Sequence, residues 1–371
     1  MSEPEIPLVD IERQHAPLRG ELMGVVEDVF RSSRFVGGAH VEAFEQEFAE
    51  YCGALHCITL GNGTDALWIA LVALGVGPGD EVITTATSFF ATAEAIELSG
   101  ATAVFCDINN ELATLDASRL DSLITAKTKA IIPVHLYGLP AEMDEIGNFA
   151  RSRGLYIIED CAQAAGARYR NHRVGTLGDI GCFSFYPTKN LGAMGDAGAI
   201  TTNDRQLATR CRMLANHGGL HKYEHLIRGT NSRMDALQAG FLRVKLKHLD
   251  AWNSQRSAIA EQYRELLAEG PVELIQSGAE YGHVNHLFVV RVAERDAVLA
   301  ALREAGIGAD VHYPTPLPML PVYSDREFDR ADFPIACKHA STALSLPIFP
   351  GMREREVQRV SAQLLSALGA K

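Results

Sequence analysis

The sequence predicts an α/β protein: a large domain over 1–250, built on a mainly parallel mixed sheet flanked by helices, and a smaller α/β domain over 251–371. Three observations carry this. Short apolar stretches alternate with helical ones between residues 57 and 160, the βαβ pattern of a parallel sheet. Polar residues recur just past the apolar stretches, where such sheets hold their ligands. Beyond Ala251 the pattern changes to amphipathic helices around an isolated strand.

Residues 7–38 form a lead-in with one helix, counted with the large domain and closed by Gly37-Gly38. Val41, Phe44, Phe48 and Tyr51 recur at helical spacing, opposite Glu42, Glu45 and Glu47. A strand, Cys57–Leu60, then meets Gly61-Asn-Gly-Thr-Asp-Ala-Leu67, which opens a buried helix. A glycine turn at a helix start is an anion site, because free N–H groups and the positive dipole end point at one spot. Thr64 or Asp65 acting only as a helix cap is the alternative.

Further strands are predicted at 81–85, 102–106, 130–134 and 156–158, with helices at 91–98, 116–125 and 141–152 between them. Phe89 follows the second strand. Ile157-Ile158 runs into Glu159-Asp160, with Gln163 one helical turn later. A carboxylate beside buried apolar residues is costly without a cationic partner, and a protonated pyridine nitrogen is one such partner. The rival role for Asp160 is the N-cap of a following helix. Asp107 sits in a similar place but is followed by no comparable site.

The next strand, 182–186, stops at Pro187, which has no N–H for a ladder. Thr188, Lys189 and Asn190 follow, then Gly192, Gly195 and Gly198. A lysine at the mouth of a buried strand suits a Schiff base with a carbonyl, that of pyridoxal phosphate or of a substrate. A plain surface lysine is the alternative. A helix over 204–215 leads to a polar loop with His217, His221 and His225, and the lack of any thiol among them argues against a metal site. Gly229–Asp235 opens another helix. Helices at 255–268, 296–305 and 353–368 and a strand at 286–291 complete the smaller domain.

Composition excludes several classes. Apolar content of 47% and charged content of 22% are ordinary for a globular enzyme. No apolar run reaches membrane-spanning length, and the start lacks a signal peptide's basic and apolar parts. Seven cysteines without a Cys-x-x-Cys pair fit reduced thiols in the cytoplasm. A net charge of −12 argues against nucleic-acid binding, so a phosphorylated substrate needs local arginines and helix N-termini.

A phosphate-binding helix start, an aromatic, an acid, a hydroxyl and a lysine, in that order, resemble the pyridoxal-phosphate enzymes of the aspartate-aminotransferase fold. Nearly the whole chain resembles the DegT/DnrJ/EryC1/StrS sugar-nucleotide aminotransferases. The matches are Asn62–Leu67, Gly77–Val82, Pro133–Gly138, Ile158–Gln163, Phe183–Asn190, Gly229–Asp235, His312–Pro314 and Leu344–Pro347. The resemblance implies that Lys189 holds the cofactor as a Schiff base and then shuttles a proton, while Asp160 keeps the pyridine nitrogen protonated. It implies Gln163 near the cofactor's phenolic oxygen, Phe89 on the ring face, and Gly63, Thr64, Asp65 and Ser184 around the phosphate. Asn231 is expected to reach that phosphate from a second subunit, and Arg233, His312 and Tyr313 to face the partner's sugar-nucleotide pocket. Tyr186 and Lys222 complete the expected substrate contacts. A homodimer with shared sites is implied, with pyridoxal 5'-phosphate cycling through its amine (PMP) form.

Lys189 separates this chain from related dehydratases, which carry histidine there, and so favours amino transfer. The expected reaction moves nitrogen from an amino acid such as glutamate to a nucleotide-linked ketosugar. Pro133–Asp144 with Lys222-Tyr223 resembles members acting on 3-keto sugars, and 4-keto members share the framework. Cys161, where alanine is commoner, and Thr85-Ala86, where proline is usual, depart from the family pattern. A non-catalytic regulator on this fold and a pyridoxal lyase or decarboxylase are the competing readings. The first predicts loss of Lys189 or Asp160, and the second leaves Arg233 and His312 idle.

Overall fold

A computed structural model describes residues 4–276, 278 and 280–369. The large sheet has seven strands: β1 (His56–Leu60), β2 (Glu81–Thr85), β3 (Thr102–Cys106), β4 (Thr128–Ile132), β5 (Tyr156–Asp160), β6 (Ile180–Ser184) and β7 (Gly198–Thr202), in the order β1-β7-β6-β5-β4-β2-β3. β7 pairs antiparallel with both its neighbours, and the pairs among β2–β6 are parallel. The mainly parallel mixed sheet is therefore present. Its parallel strands bring their carboxyl ends, and with them Asp160 and Ser184, to one edge.

The strands are apolar throughout because both faces are covered. Ile83, Ile131 and Ile157 face helix Met143–Arg153, while Val82, Ile132 and Ile158 face helix Gly63–Ala73. Helix Ala91–Leu98 and both strands around it have the predicted limits. Two readings need correction. Residues 161–164 are turns rather than a helix, because Asp160 Oδ1 accepts the Ala162 N–H at 3.1 Å and bends the chain. The predicted helix at 116–125 is a 3₁₀ segment, Ala117–Ser122.

The C-terminal part has its own antiparallel sheet, Glu273–Leu274, Phe288–Arg291 and Ala343–Leu346, packed by helices Leu249–Leu267, Arg295–Glu304 and Glu354–Ala367. The lead-in crosses to it: Ile6 lies in that core, its N–H donates to Gly306 O at 2.9 Å and its carbonyl accepts the Gly308 N–H at 2.7 Å. Arg13 pairs with Glu356 at 2.8 Å. The first residues thus pack against the C-terminal sheet and helices, although the sequence groups them with 1–250. Among the described residues no helix is long and apolar enough to cross a membrane.

Candidate active site

Lys189 stands in a turn just past β6, with its N–H donated to Tyr186 O at 2.8 Å. Its half-buried amine is held down to about 8 by desolvation, against the pull of the Asp160 charge. The amine is therefore neutral in part near physiological pH, the state in which it is a nucleophile. Asp160 is buried at the end of β5. Burial pushes its carboxyl up, and the Thr92 hydroxyl (2.8 Å to Oδ2), the Ala162 N–H and the Lys189 charge pull it back. Each of Lys189 and Asp160 thus feels the other across the edge of the sheet.

The anion cradle lies beside them. Asn62, not Thr64 or Asp65, caps helix Gly63–Ala73 by accepting the Asp65 N–H at 2.8 Å. The Gly63 and Thr64 N–H groups, first in the helix, are left without intrahelical acceptors. A Cβ on Gly63 would stand 2.7 Å from Ser184 Cβ, so glycine keeps the helix start and the Ser184 hydroxyl together. A half-buried neutral-capable amine, a buried acid and an anion cradle on one edge fit pyridoxal phosphate.

Gln163 is buried, but its Oε1 accepts the Tyr137 N–H at 2.6 Å and its Nε2 donates to the Tyr313 hydroxyl at 3.0 Å. The Tyr313 ring lies 6.0 Å from that of Phe89, which is 59% exposed at the mouth of the site. Tyr313 thus packs beside Gln163 and Phe89 of its own chain, whereas the resemblance implies that it faces a partner's pocket. Burial and the Asp160 charge raise its phenol pKa, against the Gln163 bond. His312 bonds Ser345 Oγ through Nδ1 at 2.8 Å, and its pKa is lowered by burial, with the Lys189 charge adding to the effect. Tyr186 is exposed beside the lysine turn.

Lys222, Asn231 and Arg233 are exposed. Lys222 lies 4.9 Å over the Tyr223 ring in an exposed loop. Asn231 and Arg233 are exposed, while Ser232 between them is buried and accepts the Gly61 N–H at 3.1 Å.

Sequence reasoning missed Thr92, Ser88 and the groups fixing the lysine turn. Asn190 bonds Asn253, His286 and the Val284 carbonyl at 2.8–3.0 Å, and buried Lys245 donates to Gly192 O at 2.7 Å. The signal for the first pair was present: two hydroxyls four residues apart directly after a strand whose end faces the site. Among the described residues one trio could offer metal ligands, His135, Glu159 and Cys161. Its atoms are already used. His135 accepts the Ala141 N–H and pairs with Glu159, and Glu159 takes the N–H groups of Gly175, Leu177 and Gly178. Burial keeps Cys161 a thiol.

The profile of the DegT/DnrJ/EryC1/StrS aminotransferase family matches residues 18–365. The chain belongs to that family. Within it, the chain is 47% identical to a protein of Geobacillus stearothermophilus named a pleiotropic regulatory protein, across 96% of each. It is 42% identical to the dTDP-3-amino-3,4,6-trideoxy-alpha-D-glucose transaminase of Streptomyces venezuelae, over 96% of this chain and 94% of that one. The solved structure of DesV from S. venezuelae superposes with a TM-score of 0.96 at 42% identity, covering 98% of both chains. Other solved neighbours carry the cofactor in PMP or PLP form. As a DegT/DnrJ/EryC1/StrS aminotransferase the protein is a pyridoxal-phosphate enzyme.

Proposed function

We propose that this protein transfers an amino group from an amino acid, glutamate in the simplest case, to C3 of a nucleotide-linked ketosugar in the cytoplasm. The observation carrying the chemistry is the pairing of Lys189 with Asp160 beside the Gly63–Ser184 cradle. The choice of C3 is supported by relatives named for 3-amino products or 3-keto substrates.

Bound pyridoxal phosphate supplies an electron sink for the carbon that loses or gains its proton. The chain's own residues do the rest. The Gly63 and Thr64 N–H groups, with the Thr64 and Ser184 hydroxyls, hold the phosphate. Asp160 holds the ring nitrogen as a cation, and Phe89 covers a ring face. The Lys189 amine would hold the cofactor and is placed to take and return the proton at the substrate carbon. His312, Tyr313 and Tyr186 line the substrate side.

The working unit in this reading is a homodimer with shared sites. Asn231 and Arg233 turn outward while Ser232 anchors their segment at Gly61, which suits a reach into a partner's phosphate and diphosphate subsites. Mixed dimers of Lys189→Ala and Asn231→Ala subunits should recover activity that neither parent has. Verified mixed dimers with none would overturn the sharing.

The cofactor reading is tested by absorbance. A band at roughly 400–430 nm, bleached by borohydride, is expected from a lysine-bound cofactor. Lys189→Ala should lose the band and the turnover, and a variant keeping both overturns the reading. Incubation with UDP- and dTDP-linked 3- and 4-ketosugars plus glutamate, followed by NMR of the product, fixes the carbon. The regulator named among the relatives supports a second reading, a non-catalytic protein. Retention of both Lys189 and Asp160 weighs against it.

A further inference from the structure

Asp160 is gripped from behind by a chain of hydroxyls. Thr92 Oγ1 donates to Asp160 Oδ2 at 2.8 Å, and Ser88 Oγ lies 2.8 Å from Thr92 Oγ1. All three residues are buried. Thr92 opens helix Ala91–Leu98, where a threonine hydroxyl commonly turns back onto the carbonyl four residues earlier. Here it points across to β5 instead.

The chain has a direction. Thr92 has one hydroxyl proton, and giving it to ionised Asp160 requires Ser88 to donate to Thr92. A proton on Asp160 Oδ2 would reverse both bonds and leave the Ser88 proton in need of another acceptor. Among the described residues Ser88 Oγ has no second partner. The arrangement therefore favours the anion. The titratable groups facing Asp160 are Lys189, His135, Tyr313, Cys161 and Cys182. Burial keeps the thiols and the phenol protonated, and His135 is occupied by Glu159. Once Lys189 is committed to the cofactor, Thr92 and the Ala162 N–H are the protein groups left to hold the charge.

We propose that Thr92, backed by Ser88, is the positioning residue that keeps Asp160 ionised and aims its carboxylate at the ring nitrogen of the cofactor. The inference rests on the aminotransferase reading above, and its test separates the two.

Wild type, Thr92→Val, Thr92→Ser, Ser88→Ala and Asp160→Asn are loaded with cofactor labelled with ¹⁵N in the ring, and the resonance of that nitrogen is followed against pH. The wild type should stay protonated across the neutral range. Thr92→Val should lower the ratio of protonated to free nitrogen about tenfold at a given pH. Thr92→Ser should restore it, and Ser88→Ala should lower it about twofold to threefold. Packing loss alone would lower the melting temperature of Thr92→Val without moving the resonance, and that result overturns the inference. If Thr92→Val does not fold, Ser88→Ala decides: an unchanged resonance overturns it equally. If Asp160→Asn itself leaves the resonance unchanged, the pairing of Asp160 with the ring nitrogen fails instead.

Discussion

Asp107 and Asp160 stand at equivalent points of the sheet, the ends of β3 and β5, and both are buried. Their surroundings differ in kind. Asp107 Oδ1 accepts the Ile108 and Ala336 N–H groups at 2.9 and 2.8 Å, and Oδ2 accepts that of Ile335 at 3.0 Å. Helix Pro334–Thr342 has no side-chain cap of its own, so Asp107 is its cap, delivered from the end of β3. Asp160 meets a rotatable hydroxyl, one turn N–H and a titratable amine. Fixed backbone donors saturate a carboxylate and leave it nothing to do but hold. Side-chain donors around a strand end leave it able to answer a ligand's charge.

The two asparagine variants give the strongest test of that contrast, because their effects should cross. Asp160→Asn should cost a thousandfold or more in turnover, on the order of the loss of a preorganised charge partner, with little change in stability. Asp107→Asn turns one acceptor into a donor facing helix N–H groups, so it should cost about 1–3 kcal/mol of stability and leave turnover per folded molecule intact. Denaturant melts and steady-state rates on the same samples check both. Equal profiles would erase the distinction.

Gly63→Ala should come next. Its new Cβ would meet Ser184 Cβ at 2.7 Å, pushing the helix start away from β6 and opening the cradle. Cofactor affinity should fall tenfold or more, on the order of about 1–3 kcal/mol of strain divided between folding and binding. Titration of the cofactor-free protein by absorbance reads it. Unchanged affinity would move the phosphate site elsewhere.

Lys189 sharpens the comparison from the other side of the pocket. Its amine is lowered from 10.5 to about 8 in the folded chain by burial. Between those values the unfolded chain binds a proton that the folded one has released, so stability should rise with pH from about 8 to 10.5. The full cost, at most about 3 kcal/mol, is present below 8. Lys245 is lowered to about 8 by burial as well, so Lys189→Met in cofactor-free protein should remove only part of the rise. Melts from pH 7 to pH 10.5 that superpose for wild type and variant would place Lys189 in solvent.

What the sequence conveyed divides along the same line. Strands 81–85 and 102–106 and helix 91–98 were legible because their periodicity is local. Lys189 and Asp160 stood out because a polar residue at the end of a buried strand needs a reason, whereas Ser184 entered only through the family resemblance. β7, Gly198–Thr202, was not: it starts with glycine after a glycine-rich turn, and its antiparallel direction is set by its neighbours. The pairing of Ile6 with Ile307 joins segments far apart along the chain and leaves no local trace. Asp107 and Asp160 looked alike in sequence because their donors come from Ile335 and Ala336 in one case and Thr92 in the other, far along the chain.

The smallest effect concerns the helix start at Gly63, where capping and ligand binding sit one residue apart. Asn62 Oδ1 already accepts the Asp65 N–H, a fixed backbone donor, so Asn62 should behave as Asp107 does. Asn62→Ala should cost about 1 kcal/mol of stability, the usual loss for an N-cap, and shift cofactor affinity little. Thr64 is not the cap, and its hydroxyl is free to serve the anion. Thr64→Val should therefore weaken the cofactor severalfold, about 1 kcal/mol, with the fold unaffected. Melting curves of cofactor-free protein and cofactor titrations of both variants separate the roles. A Thr64→Val protein that lost stability instead of affinity would make Thr64 part of the scaffold, and would leave Ser184 and the backbone N–H groups to hold the phosphate by themselves.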